Sequence, residues 1–196
     1  MLHLSTATGQ WRIVAWWTLA SLVGWAAGLA LAGVLTGVLS RLDGLNEDRA
    51  LIYAALLSLG IALGVAQWPV MRVYLPAAWR WVAVTIAGYL LAILVPVALS
   101  SVRLVGMEPL LFALMGAAVG LPQAWLLWQY YQGAALWVLA SALTFLGFLW
   151  LVAHPVSSQG EMIVMGGILG ALGALATGVT LAWLAQRPRA ADGSVV

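Results

Sequence analysis

The stretch Gly60-Ile-Ala-Leu-Gly64-Val-Ala-Gln67 is followed, fourteen positions after its glutamine, by Trp81-Val82. Fifty-six positions further on the same arrangement returns as Gly116-Ala-Ala-Val-Gly120-Leu-Pro-Gln123, again followed fourteen positions later by Trp137-Val138. A shared offset over this length is the signature of a chain assembled from like units, and it takes precedence over any local motif. Glutamine is scarce inside the apolar stretches, so its return at one register weighs more than the return of Ala, Leu or Gly.

Working outward from the tryptophans, three segments align: Trp17-Thr-Leu-Ala-Ser21, Trp81-Val-Ala-Val-Thr85 and Trp137-Val-Leu-Ala-Ser141. Each has a hydroxyl residue four positions after its Trp and an aromatic eight positions after it, namely Trp25, Tyr89 and Phe145. The last apolar stretch joins the pattern through Ala174-x3-Gly178-x2-Leu181. The simplest assembly is three tandem helical hairpins crossing in the same sense, and hence parallel repeats about an axis along the membrane normal. A pseudo-threefold bundle of six transmembrane helices follows.

Composition puts that bundle in a membrane. The 196 residues are 64% hydrophobic and only 7% charged, with a mean hydropathy of +1.04, whereas a soluble domain carries about 25% charged residues. Six apolar runs, at 11–35, 51–73, 81–99, 109–130, 134–153 and 162–184, are each near the ~20 residues that cross ~30 Å of hydrocarbon. The first exceeds a signal peptide's apolar core and reads as a retained helix. One transmembrane domain spans 1–196, with hairpins at 11–73, 81–130 and 134–184 and a short tail at 187–196.

Arg12, Arg72, Arg80, Arg187 and Arg189 fall on one side of this topology, and Arg41, Arg49 and Arg103 on the other. Positive charge collects on the cytoplasmic side, so both termini are expected there, in a bacterial inner membrane. Asp43, Glu47, Asp48, Glu108 and Glu161 lie on the outer side. Glu47, Glu108 and Glu161 each precede an inward-running helix, where a helix N-terminus stabilises negative charge. Trp79, Trp81, Trp128, Tyr74, Tyr130 and Tyr131 gather at the inner helix ends, the pattern of an interfacial aromatic belt.

The missing residue types narrow the chemistry. Without cysteine there is no disulfide, thiolate metal site or thiol nucleophile. Without lysine there is no Schiff base to retinal or pyridoxal phosphate. A net charge of +2 spread over short loops offers nucleic acid no basic patch. His3 and His154 fall on opposite sides of the membrane, too far apart to share a metal. No catalytic motif is present, and Glu108 or Glu161 with His154 is the one candidate constellation, so an enzyme is not expected. No cofactor is expected either; membrane lipid is the bound molecule that this surface invites.

Small residues at i and i+4 let helices approach closely in lipid. Gly24 and Gly28, Gly33 and Gly37, Gly60 and Gly64, Gly116 and Gly120, and the stripe Gly166, Gly170, Gly173 and Thr177 are read as packing faces. Gln67 and Gln123 lie about five residues from the inner ends of their helices, at the depth of Ser21, Thr85 and Ser141. These five are expected to form one polar layer. Either they hold the hairpins together by interhelical hydrogen bonds, or they line a cavity open to the cytoplasm. Pro69 and Pro122, beside the two glutamines, free backbone carbonyls nearby, and Pro96 is expected to kink the third helix.

The block Gly60, Gly64, Gln67, Trp68, with Arg72 shortly after it, resembles the helical-hairpin repeats of uncharacterised bacterial multi-pass membrane proteins. The second copy departs from it, with Ala124 at the Trp position and Trp128 at the Arg position. The resemblance implies the hairpin architecture and brings no activity. Three tandem hairpins are similar, as architecture alone, to the urea/amide channel family. Proton coupling and ion relays leave charges at depth, and this chain has none there. The reading is therefore a non-enzymatic protein that binds or passes a small neutral or apolar molecule. The alternative is an accessory subunit of a larger membrane complex, or a homo-oligomer, held by its glycine faces.

Overall fold

The computed structural model describes residues 7–39, 41, 47–99, 106–153 and 159–189, and the side chains of all of these except 7–8, 47–49, 150–153 and 159–163. Six α-helices follow one another: α1 Ala7–Leu39, α2 Glu47–Met71, α3 Trp79–Ala98, α4 Glu108–Trp128, α5 Ala135–Ala153 and α6 Gln159–Leu184. The expected boundaries hold within a few residues. The largest difference is α1, which extends four residues beyond the apolar run at each end; its 33 residues span about 50 Å at ~1.5 Å per residue. Among the residues whose side chains are described, five of the helices have segments long and apolar enough to cross a membrane, and α5 contributes the apolar segment Ala135–Leu149. Large apolar side chains such as Leu19, Val34, Leu94, Leu121, Leu139 and Leu172 are exposed along the helices. In a hydrocarbon solvent those faces belong outward, and the helix satisfies its own backbone groups where no water can.

Each helix packs against the one before and the one after it, and α6 packs against α1, closing a ring. Glycines set the separations. A Cβ on Gly24 would lie 2.9 Å from the Leu63 Cα, and one on Gly88 only 2.5 Å from the Val119 carbonyl oxygen, so α1–α2 and α3–α4 meet backbone to backbone. Between α5 and α6 the small residue changes sides, with Gly173 seated against Thr144. Gly28 packs on Leu59, and Gly166 is buried. Pro69, Pro96 and Pro122 all lie inside helices. Pro96 does not end α3, which runs on to Ala98.

One end of the ring gathers the α2–α3 connection, the α4–α5 connection and the chain after α6. The Arg187 carbonyl accepts from the Gln132 N–H at 2.9 Å, and the Tyr130 carbonyl from the Arg189 N–H at 2.9 Å. The Tyr131 hydroxyl donates to the Tyr74 carbonyl at 2.8 Å. Gly133, at φ +78°, makes the turn into α5, and a Cβ there would meet the Trp183 ring at 2.8 Å. Arginines at this end lie over indoles, Arg187 over Trp183 at 3.9 Å and Arg72 over Trp68 and Arg189 over Trp128 at 5.2 Å. Trp79 and Trp128 are exposed, as a belt requires, but Trp81 and Tyr131 are buried. The correction has a simple cause: two residues turn a helix by about 200°, so Trp79 and Trp81 face opposite ways.

At the other end, Glu108 opens α4 and its carboxylate accepts weakly from the Gly106 N–H at 3.4 Å. Glu47 is the first residue of α2 and Glu161 the third of α6, the helix-start positions expected of them. His3, His154, Arg103, Asp43 and the tail beyond Arg189 lie outside the described residues.

Candidate functional site

The odd-numbered helices meet only through side chains, at the centre of the ring. Trp17, Trp81 and Trp137, from α1, α3 and α5, are at most 1% exposed. Their rings pack edge to face in all three pairings, with centroids 5.5–5.7 Å apart and interplanar angles of 75–86°. This is the preferred geometry of aromatic quadrupoles, and three such contacts close the axis of the bundle. The sequence aligned these three by register and assigned them no place in a site.

Each indole N–H is held by a neighbouring helix. Trp81 Nε1 donates to Gln67 Oε1 at 3.0 Å, and Trp137 Nε1 donates to Gln123 Oε1 at 2.8 Å. The fourteen-residue spacing thus spans the end of one helix, a short turn and the start of the next, so that the glutamine and the tryptophan arrive at one level. The amides reach back as well: Gln67 Nε2 donates to Ser21 Oγ at 3.0 Å, and Gln123 Nε2 to Thr85 Oγ1 at 2.9 Å. Gln67 on α2 therefore ties α1 to α3, and Gln123 on α4 ties α3 to α5.

The third station is built differently. Trp17 Nε1 donates to Thr177 Oγ1 on α6 at 3.0 Å, and Ser141 Oγ turns back to donate to the Trp137 carbonyl at 2.9 Å. Thr177 thus takes the place of a glutamine, and Leu181, which the sequence register set there, packs in the apolar cluster at the arginine-rich end. The glycine contacts follow the same register. Gly60 lies against Tyr89, Gly116 against Phe145 and Gly170 against Trp25, so the sixth helix aligns as Gly170-x3-Ala174-x2-Thr177, one turn earlier than the sequence suggested. A glutamine replaced by a threonine left no identity to align on.

Above the tryptophans, a chamber of about 70 Å³ is walled by all six helices, and Ser21, Gln67, Thr85, Gln123, Ser141 and Thr177 line it. The five residues expected to form a polar layer do lie together. The first five of these lining residues and Ser58 are the buried polar side chains among the described residues; none is charged. The amides bind neighbouring helices, as the first reading has it, and they also face a cavity, but the tryptophan triad stands between that cavity and the arginine-rich end expected in the cytoplasm, so the chamber is not open to that side. Each carboxamide has two N–H groups and each hydroxyl one O–H. Gln67 and Gln123 thus retain one N–H apiece, and Ser21 and Thr85, which accept from them, donate to no group among the described residues.

About 12 Å along the axis from the tryptophans, by the eight-residue spacing, stands a second aromatic tier of Trp25, Tyr89 and Phe145. Beyond it lies a cavity of about 800 Å³ lined by apolar and aromatic side chains, among them Leu56, Leu59, Met115 and Phe148. Trp25, Tyr89, Thr144 and Phe145 line both cavities. Ser58, fully buried, leaves its hydroxyl without a partner. Among the described residues no cluster of His, Asp or Glu is placed to hold a metal ion.

Compared with known proteins, the chain matches no family model, no curated protein and no solved structure.

Proposed function

We propose that this is a non-enzymatic multi-pass membrane protein that binds, or passes, a small neutral or apolar molecule along the axis of its helix ring. The observation that carries the reading is the uncharged chamber shared by all six helices, which presents hydrogen-bond donors that no group among the described residues uses. Ligand sites combine an apolar wall with a few convergent polar groups, and this is such a combination. In the same reading the chain is three tandem hairpins about a pseudo-threefold axis. The arginine-rich end, closed by Trp17, Trp81 and Trp137, faces the cytoplasm with both termini.

Native mass spectrometry of the full chain in mild detergent tests the reading. The wild type is expected to carry a non-protein mass that the double variant Gln67→Leu/Gln123→Leu loses. A wild type and variant both free of bound mass, even after incubation with total membrane lipid, would overturn it.

A second reading, that of an accessory subunit or homo-oligomer, has one observation in its favour. Cβ atoms on Gly33 and Gly37 of α1 would meet nothing within 4 Å, which leaves a small-residue face without a helix against it. The same spectra separate the two, because a complex leaves a protein mass and not a small one.

A further inference from the structure

We infer that the two adjoining cavities are one site for a neutral amphiphile, with a hydrogen-bond-accepting head, such as an ester, amide or ketone carbonyl, in the polar chamber and an apolar chain in the larger cavity. The inference rests on the ligand-binding reading above and names its substrate class.

Three observations lead there. The first is a set of unused donors in the chamber. The Ser21 and Thr85 hydroxyls and one N–H each of Gln67 and Gln123 lack an acceptor, and the lining holds no cation. A buried donor without an acceptor is costly, so the group that fills the chamber must accept hydrogen bonds. An ionised head would leave water for a site with no opposite charge, which costs several kcal/mol; the head is therefore neutral.

The second observation is Tyr89. It is 6% exposed, lines both cavities, and its hydroxyl makes no hydrogen bond among the described residues. A buried tyrosine hydroxyl ordinarily finds a partner. Placed between a polar chamber and an apolar one, it is the donor that the base of a headgroup would meet.

The third is size. At about 15 Å³ for each water-sized group, a chamber of about 70 Å³ holds roughly four or five such groups, enough for an ester or amide head and too few for a sugar or a phosphodiester. The cavity of about 800 Å³ falls within the ~300–1,000 Å³ of small-molecule sites, and its apolar lining suits a hydrocarbon chain. The tryptophan triad below the chamber is the floor against which the head stops.

Titration by native mass spectrometry of the full chain in mild detergent, with four probes, tests this. Hexadecyl acetate has both parts, hexadecane lacks the head, hexadecanoate at pH 8 has a charged head, and ethyl acetate lacks the chain. Hexadecyl acetate is expected to bind at least tenfold more tightly than each of the other three. Tyr89→Phe, which removes a hydroxyl that no group among the described residues uses and so leaves the fold intact, is expected to weaken hexadecyl acetate about tenfold and leave hexadecane unchanged. Equal binding of hexadecane and hexadecyl acetate, with no effect of Tyr89→Phe, would overturn the headgroup inference and leave the apolar-ligand reading standing. Tightest binding of ethyl acetate would overturn the chain, and tightest binding of hexadecanoate the neutral head. Binding of none of the four would remove both the inference and the function it rests on.

Discussion

At the residue scale the molecule turns on two glutamines. A primary amide in hydrocarbon is stable only if paired, and Gln67 and Gln123 each pair twice, with an indole on the next helix and a hydroxyl on the previous one. Interhelical hydrogen bonds in membranes contribute about 0.6–2 kcal/mol each, and a buried donor stripped of its acceptor costs about 1–3 kcal/mol. Gln123→Leu leaves the Trp137 N–H without an acceptor. Thermal unfolding in detergent is therefore expected to show a loss of about 1–3 kcal/mol for Gln123→Leu and a similar loss for Gln67→Leu. Thr180→Val is the control, because Thr180 is only half-buried and its hydroxyl bonds only to its own helix. An unchanged melt for Gln123→Leu would mean that the amide is replaceable. The presence of a polar layer was legible from the shared depth of these residues. The partner of each was not, because hydrogen-bond pairing depends on how adjacent helices rotate about their axes.

At the element scale the helices are specified by where glycine stands. Gly88 touches the Val119 backbone so closely that a Cβ would lie 2.5 Å from its carbonyl oxygen, whereas Gly33 has nothing within 4 Å. Gly88→Ala must separate α3 from α4 and is expected to cost about 1–3 kcal/mol, the range of overpacked cores. Gly33→Ala is expected to stay within about 0.5 kcal/mol of the wild type, as surface substitutions do. Equal effects in the same melting experiment would refute the packing. Both glycines sit in apolar stretches, and nothing in their immediate sequence tells them apart. The α5–α6 pair makes the same point, since its small residue, Gly173, lies on the second helix where the other hairpins have Gly24 and Gly88 on the first. Contact needs one small partner at a crossing and is indifferent to which helix supplies it. That indifference, together with Thr177 in a glutamine's place, is why the sequence register of α6 came out one turn late.

At the scale of the whole molecule, closure of the ring depends on the tryptophan triad within and on the gathered connections at the arginine-rich end. Tyr131 bridges two of those connections through the Tyr74 carbonyl. Burial, with added repulsion from Tyr74 and Tyr130, pushes its hydroxyl up to about 12, and burial raises Tyr74 as well. An unfolded tyrosine titrates near ~10. Below that value both states hold the proton and stability does not change. Between about 10 and 12 the unfolded chain loses protons that the folded one keeps, so stability falls as pH rises. Melting temperatures in detergent are expected to be flat from pH 7 to 9 and to drop above pH 10, less steeply in Tyr131→Phe. Equal slopes for variant and wild type would exclude Tyr131 as the source.

What the sequence determined by itself is the solvent of the molecule and its order: six apolar runs that fold as six helices, five of them long and apolar enough to cross a membrane among the described residues, with two glutamines at one register. These follow from composition and period, which are local properties. What only the tertiary structure decided is which side chains meet on the axis. Trp79 and Trp81 are indistinguishable by type and two residues apart, yet one faces outward and the other closes the bundle. That choice belongs to the rotation of α3 within a ring of six, set by glycine contacts and hydrogen bonds from both neighbours at once.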